Sequence, residues 1–147
     1  MTKRKNRRRK SSWHGIATGP LERGATISDV ESIRHGFSWG LASRFQDNLE
    51  LKDQEFAAVL GVSSRTLIRQ RKGTSLLDKV ASDRLYRVMR VVKLAEHVLE
   101  DAELGMQWLR KPQAGLGDRV PLELLDTEPG FEAVESLLQR IEFGAIA

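Results

Sequence analysis

Phe37, Leu41, Phe45 and Leu49 recur every four residues, so they line one face of a helix over residues 38–48. Spacings of three and four also join Val30, Ile33 and Phe37, just after Ser28-Asp-Val-Glu31. That tetrapeptide reads as a capping box, in which the Ser28 hydroxyl accepts an amide bond and Glu31 reaches back. Gly36 ends or bends this first helix. Asp53 is expected to cap a short helix carrying Phe56, Ala57, Val59 and Leu60, which Gly61 stops. Ser63 or Ser64 caps the next one, which runs to about residue 72 with Gly73 as its stop.

The longest apolar pattern spans residues 82–99, opened by Ser82-Asp83. Leu85, Val88, Met89, Val92, Ala95 and Leu99 form one face, and Val91, Leu94 and Val98 a second. A helix apolar on two sides is packed on two sides, so this one is expected to join the front and back halves. A helix over 102–109 follows, then a turn-rich stretch over 110–118 and a short helical turn over 121–125. Thr127 caps the last helix, with Pro129 tolerated in its first turn. Phe131, Val134, Leu137, Leu138 and Ile141 make its apolar face, and Gly144 ends it. No alternating run is long enough for a sheet, so the fold class is all-α.

Residues 53–73 have the spacing of a helix-turn-helix. Ala57 is the small residue such a motif needs where its helices cross. Gly61, four positions later, accepts a left-handed backbone. Phe56, Leu60, Val62 and Leu67 face inward, and residues 63–77 hold four basic side chains and no acid. An ordinary hairpin with a solvated charged face is the bland alternative. Gln70 stands where an inward residue is usual, so the second helix is expected to end early or to turn Ile68 partly inward. Residues near the start of a recognition helix reach base edges. Ser63 and Ser64 are candidates for phosphate or bases, and Thr66 for phosphate or a thymine methyl. Arg65 and Arg69, one turn apart, suit guanine O6 and N7, and Arg71 and Lys72 the backbone.

Charge sharpens this picture. The 147 residues carry a net +4, but the sign changes along the chain. Residues 1–10 hold seven basic side chains (Lys3, Arg4, Lys5, Arg7, Arg8, Arg9, Lys10) and no acid. From Leu94 onward there are four basic and eleven acidic residues. The basic run has no apolar surface to offset ordering entropy. It is either an arm that tracks phosphates or a solvated tail. The acidic back half suits a basic protein surface, or equally a set of solvated faces. Residues 11–26 read as a linker, with Trp13 and Ile16 as candidate anchors.

Several classes drop out. There is no Cys, which removes disulfide scaffolds and thiolate chemistry, and three scattered His leave little for a metal site. No apolar run reaches the roughly 18 residues that span a bilayer, and the basic start lacks the apolar core of a secretory signal. A cytoplasmic protein without membrane contact or cofactor is expected. Gly115-Leu-Gly117-Asp-Arg-Val lacks the third glycine of a dinucleotide fingerprint and follows no strand. No His sits in a recognisable triad spacing, so catalysis is not expected.

Further segments carry a resemblance. They are Ser82-Asp-Arg-Leu85, Trp108-Leu109 with Pro112, Leu116-Gly117, Pro121-Leu-Glu-Leu-Leu125-Asp-Thr127-Glu-Pro-Gly130, Val134, and Ile141-Glu-Phe-Gly144. In this order and spacing the chain resembles the Xre/MbcA/ParS family of bacterial antitoxins across residues 28–146. The resemblance implies an Xre-like helix-turn-helix domain joined by a long central helix to a helical C-terminal toxin-binding domain. The expected division is an arm and linker over 1–26, a DNA-binding domain over 27–80 and a toxin-binding and oligomerisation domain over 81–147.

It further implies a partner toxin, most typically a RES-domain protein that consumes NAD, and repression of the shared operon at operator DNA by a homodimer or higher oligomer. Trp108, Leu109, Leu124 and Leu125 are expected in the core. Pro112, Gly115, Gly117 and Pro121 are expected to shape a loop. The candidates for toxin contact are Arg110, Lys111, Arg119, Glu123, Asp126 and Glu128, with Arg140, Glu142 and Ala147 toward the end, where a small apolar tail could enter a pocket. A freestanding repressor, whose back half only dimerises or senses a ligand, is the alternative.

Overall fold

The computed structural model of the protein describes residues 25–144. The basic run, the linker anchors Trp13 and Ile16, and the tail residue Ala147 lie outside the described residues. Within them the helices are α1 (Ile27–His35), α2 (Trp39–Asn48), α3 (Asp53–Leu60), α4 (Ser64–Arg71), α5 (Lys79–Val98), α6 (Ala102–Arg110), α7 (Pro121–Leu124) and α8 (Glu128–Glu142), with a 3-10 turn over Ala114–Leu116. Pairing of β type among the described residues is confined to two isolated bridges, Ser38 with Leu76 and Gln113 with Arg119. The all-α expectation holds.

The stripe Phe37, Leu41, Phe45 and Leu49 is buried along its whole length. Phe45 meets Phe56 of α3 with ring centroids 6.1 Å apart, and both rings are wholly excluded from solvent. Truncating either one would cost about 3–5 kcal/mol. The twenty residues of α5 run through the middle of the molecule. Leu85, Val88, Met89, Val91, Val92 and Ala95 are buried on it, and α1, α3, α6 and α8 all pack against it. Both apolar faces read from the sequence are therefore used. Leu109 and Leu125 are buried and Trp108 and Leu124 partly so, as expected of core residues.

Three helix starts differ from expectation. The first capping box is Thr26 with Asp29, not Ser28 with Glu31. Two overlapping boxes compete in the sequence, and the earlier one adds half a turn of hydrogen bonds. Lys52, not Asp53, is the N-cap of α3, its N–H donating to Glu55 Oε1 at 3.1 Å. α5 begins at Lys79 behind Asp78, whose carboxylate accepts from the Ala81 amide at 2.8 Å. Ser82, expected to open that helix, is inside it and fully buried. Its hydroxyl accepts the Phe37 amide at 3.0 Å and donates to the Leu77 carbonyl at 3.4 Å.

Candidate nucleic-acid and protein-binding surfaces

Helices α3 and α4 form the expected hairpin. Ala57 is buried at their crossing, and Gly61 ends α3 with φ 72°, in the left-handed region. A Cβ there would meet only the movable end of the Arg84 side chain of α5, so it is the backbone conformation that calls for glycine. The Ser63 hydroxyl caps α4 by accepting the Thr66 amide at 3.0 Å and donates to Thr66 Oγ1 at 2.9 Å. Leu67 is the buried anchor of α4.

The outer face of α4 carries Arg65, Ile68, Arg69 and Lys72, spaced i, i+3, i+4 and i+7, all exposed. Of the two expected alternatives, an early end of the helix or a partly buried Ile68, the second does not hold: Ile68 is 46% exposed. The helix ends at Arg71, and Gln70 turns aside to accept the Ser75 hydroxyl at 2.7 Å. Ser63 is exposed at the same helix start, with Ser64 and Thr66 half-buried beside it. Arg71 does not join this face. Its guanidinium turns back to pair with Asp53 at the start of α3 and donates to Gln46 Oε1 at 3.1 Å.

Gln46 is the hub of that arrangement. It is 5% exposed, and its amide nitrogen donates to Asp53 Oδ1 at 2.7 Å and to the Leu51 carbonyl at 3.0 Å. Hydrogen bonds from Arg71 and then Gln46 hold the Asp53 carboxyl below its ordinary pKa, against a smaller opposing effect of burial. The trio fixes the last turn of α4 against α2 and α3. Its only trace in the sequence is a polar residue, Gln46, next to the stripe residue Phe45.

The residues expected to meet a protein partner are dispersed. Lys111, Arg119, Glu123, Asp126 and Arg140 are exposed. Asp126 and Glu128 come together on an open cleft of about 600 Å³ between α1, the first turns of α5 and the start of α8, where Ile33, Val80 and Phe131 supply apolar wall. Arg87 reaches Glu128 at 3.8 Å. Some 21 Å further along α8, by the 1.5 Å rise of a helix, Glu142 bonds His97 Nε2 at 2.8 Å. Phe143 at the end of α8 and Leu104 of α6 are exposed apolar side chains; Phe143 falls within the C-terminal stretch expected to meet the partner, whereas the sequence pattern did not single out Leu104.

Arg110 corrects the expectation of an exposed contact. It is half-buried and directed into the front half of the molecule. It donates to the carbonyls of Leu49 at 3.2 Å and Glu50 at 2.9 Å and lies 3.4 Å from Glu55 Oε2. A helix that ends against the helix-turn-helix spends its terminal cation there, on carbonyls left free between α2 and α3. Among the described residues no group of His, Asp and Glu is placed to hold a metal ion. No described helix is long and apolar enough to cross a membrane.

Comparison with known proteins matches two families to successive parts of the chain. Residues 29–90 match the family described as "Antitoxin Xre-like helix-turn-helix domain". Residues 94–144 match the one described as "Antitoxin Xre/MbcA/ParS C-terminal toxin-binding domain". The chain is 31% identical to an antitoxin Xre of Yersinia enterocolitica over 136 residues, covering 92% of this chain and 90% of that protein. It is 31% identical to an antitoxin Xre of Photorhabdus laumondii over 131 residues, 86% of this chain and 78% of that one. A "Prs ADP-ribosylating antitoxin" of Sphingobium is 25% identical over 136 residues, 86% of each chain.

Proposed function

We infer the function from one premise: this chain belongs to the Xre family of antitoxins, with an Xre-like helix-turn-helix followed by an Xre/MbcA/ParS toxin-binding domain. On that footing it neutralises a RES-type, NAD-degrading toxin through residues 94–144 and represses its own operon through α4. It acts by occupying its partners, without catalysis, in the cytoplasm where operator DNA is found. The ADP-ribosylating name of the Sphingobium relative supports the NAD-linked partner, because ADP-ribose is drawn from NAD.

The observation that carries the DNA-binding half is the exposed face Arg65, Ile68, Arg69 and Lys72 on a capped helix. Arg65 and Arg69 read guanine edges, Ile68 contacts a thymine methyl, and Lys72 and the Ser63, Ser64 and Thr66 hydroxyls serve the phosphates. Arg71 supports the helix from behind. One such helix offers few base contacts, so a dimer reading half-sites about 34 Å apart is the expected operator-bound form. On the other half, Lys111, Arg119, Glu123, Asp126, Glu128, Arg140 and Glu142 face the toxin, with Leu104 and Phe143 as apolar contacts.

Coexpression of the full chain with the product of the adjacent gene tests this reading. A stable complex, relief of growth arrest and retained NAD are expected. A chain that binds its promoter but neither captures nor silences that product is a freestanding repressor instead.

A further inference from the structure

We propose that Ile68 is a specificity-determining residue that reads a pyrimidine 5-methyl group beside a guanine in the operator, so that thymine and 5-methylcytosine both satisfy it. The inference rests on the DNA-binding reading above and deepens it: a side chain that recognises the methyl, and not the rest of the base, also tells a methylated cytosine from a plain one.

Ile68 stands on the outer face of α4 between Arg65 and Arg69, with Lys72 one turn further on, and it is 46% exposed. No acid lies between residues 63 and 77. Single exposed apolar residues are common on protein surfaces. This one is set among three cations, and that company restricts what can cover it. A protein surface laid here would need acids for three cations around one apolar spot. The major groove offers guanine O6 and N7 and phosphate oxygens to the cations, and its base edges carry one apolar group, the C5-methyl.

Thr66 is the other side chain near the start of α4 that carries a methyl. It is half-buried, and its Oγ1 accepts the Ser63 hydroxyl at 2.9 Å. That bond engages Thr66 in the cap of the helix, which leaves Ile68 as the exposed apolar group of the face.

Ile68 is also held still. A β-branched residue in a helix keeps essentially one χ1 rotamer. Leu67 beside it is buried and anchors α4, Ser63 caps the helix start, and Arg71 ties the last turn to Asp53 and Gln46. A methyl contact made by Ile68 therefore costs little ordering and is confined to one place in the groove. At a rise of about 1.5 Å per residue, Ile68 lies roughly 4.5 Å beyond Arg65 along the axis and about 1.5 Å short of Arg69. Bases on a strand are spaced about 3.4 Å apart. For a helix lying along the groove, the methyl falls within about one base step of the guanine taken by Arg69, and roughly one to two steps from that taken by Arg65.

The test uses the full chain and duplexes of its own promoter. Each thymine of the footprinted half-site is replaced in turn by deoxyuridine, which removes only the methyl, and each cytosine by 5-methylcytosine, which only adds it. Affinities are measured by anisotropy for the wild type, Ile68→Val and Ile68→Ala. In the wild type one position per half-site should respond, weakening about fourfold where a methyl is removed or strengthening about fourfold where one is added, the worth of one buried methyl group. Ile68→Ala should bind the two duplexes equally at that position while keeping its preference for the guanines, and Ile68→Val should keep most of the response. The scan of the wild type is a reading independent of any variant. A wild type indifferent to every methyl of its half-site overturns the proposal. So does a response that Ile68→Ala retains in full, which would assign it to the stiffness of the methylated duplex. A wild type that does not select its promoter over unrelated DNA, or Arg65→Ala and Arg69→Ala variants that bind it unchanged, defeats the DNA-binding reading beneath and takes this inference with it. That outcome is distinct from a chain that reads its guanines and ignores the methyl.

Discussion

The Ser82 hydroxyl accepts the backbone amide of Phe37 at 3.0 Å, joining residues 45 positions apart in a place closed to water. The bond ties the entry of α2 to the second turn of α5, and the Leu77 amide adds to it by donating to the Phe37 carbonyl at 2.8 Å. Ser82→Ala leaves the Phe37 amide buried without an acceptor. A loss of about 1–3 kcal/mol is expected from such an orphaned donor. Urea unfolding of the variant checks it; an unchanged midpoint would show that the backbone adjusts to find another partner.

Asp53 gives the front half an acid limit. Its folded pKa lies below the ordinary value of 3.8 because Arg71 and Gln46 bond the charged form. A depressed carboxylate contributes stability that is present above the unfolded value and lost as pH falls through the folded one. Asp53→Asn should therefore differ most from the wild type near neutrality and converge with it below about pH 4. Thermal melts of both chains across that range measure the gap, and a difference that stays constant with pH contradicts the assignment.

Arg65 and Arg69 should each contribute about 1–3 kcal/mol at a single base position. In gel shifts against the promoter, Arg65→Ala and Arg69→Ala should relax preference at different positions. Arg71→Ala should behave otherwise, weakening all sequences alike, because it holds the helix and does not read bases. A position-specific effect from Arg71→Ala would reverse that distinction.

The seven basic side chains of residues 1–10 predict a salt-sensitive contribution. Each phosphate they neutralise adds roughly 0.9 to the slope of log affinity against log salt. Deleting residues 1–10 should flatten the slope while base preference stays the same. If the slope is unchanged, those charges are spent on solvent.

Much of this molecule can be read from period alone. The stripe from Phe37 to Leu49, the two faces of α5 and the Ala57–Gly61 spacing each depend on neighbours within one or two turns. What escaped depends on distant partners. Ser82 looks like a cap because serine caps helices, but Phe37 claims its hydroxyl, so Asp78 caps α5 instead. Asp53 looks like a cap for the same reason, and Arg71 claims it. Arg110 has the sequence context of an exposed charge, and only the approach of α6 to the connection at residues 49–50 turns it inward. Polar side chains with one local use and one remote use cannot be resolved without the tertiary arrangement. Apolar ones, having a single use, can.

Helix α5 is unbroken from Lys79 to Val98, and its buried side chains belong to both halves. The two family matches meet on it, at residues 90 and 94, so no loop separates them. This has a consequence for how such a protein is destroyed. A protease that waits for local opening finds no linker to cut between the halves, and peeling either one away strips the other of its supporting wall. Degradation should then remove both halves in a single event, with no fragment of either surviving as a folded unit.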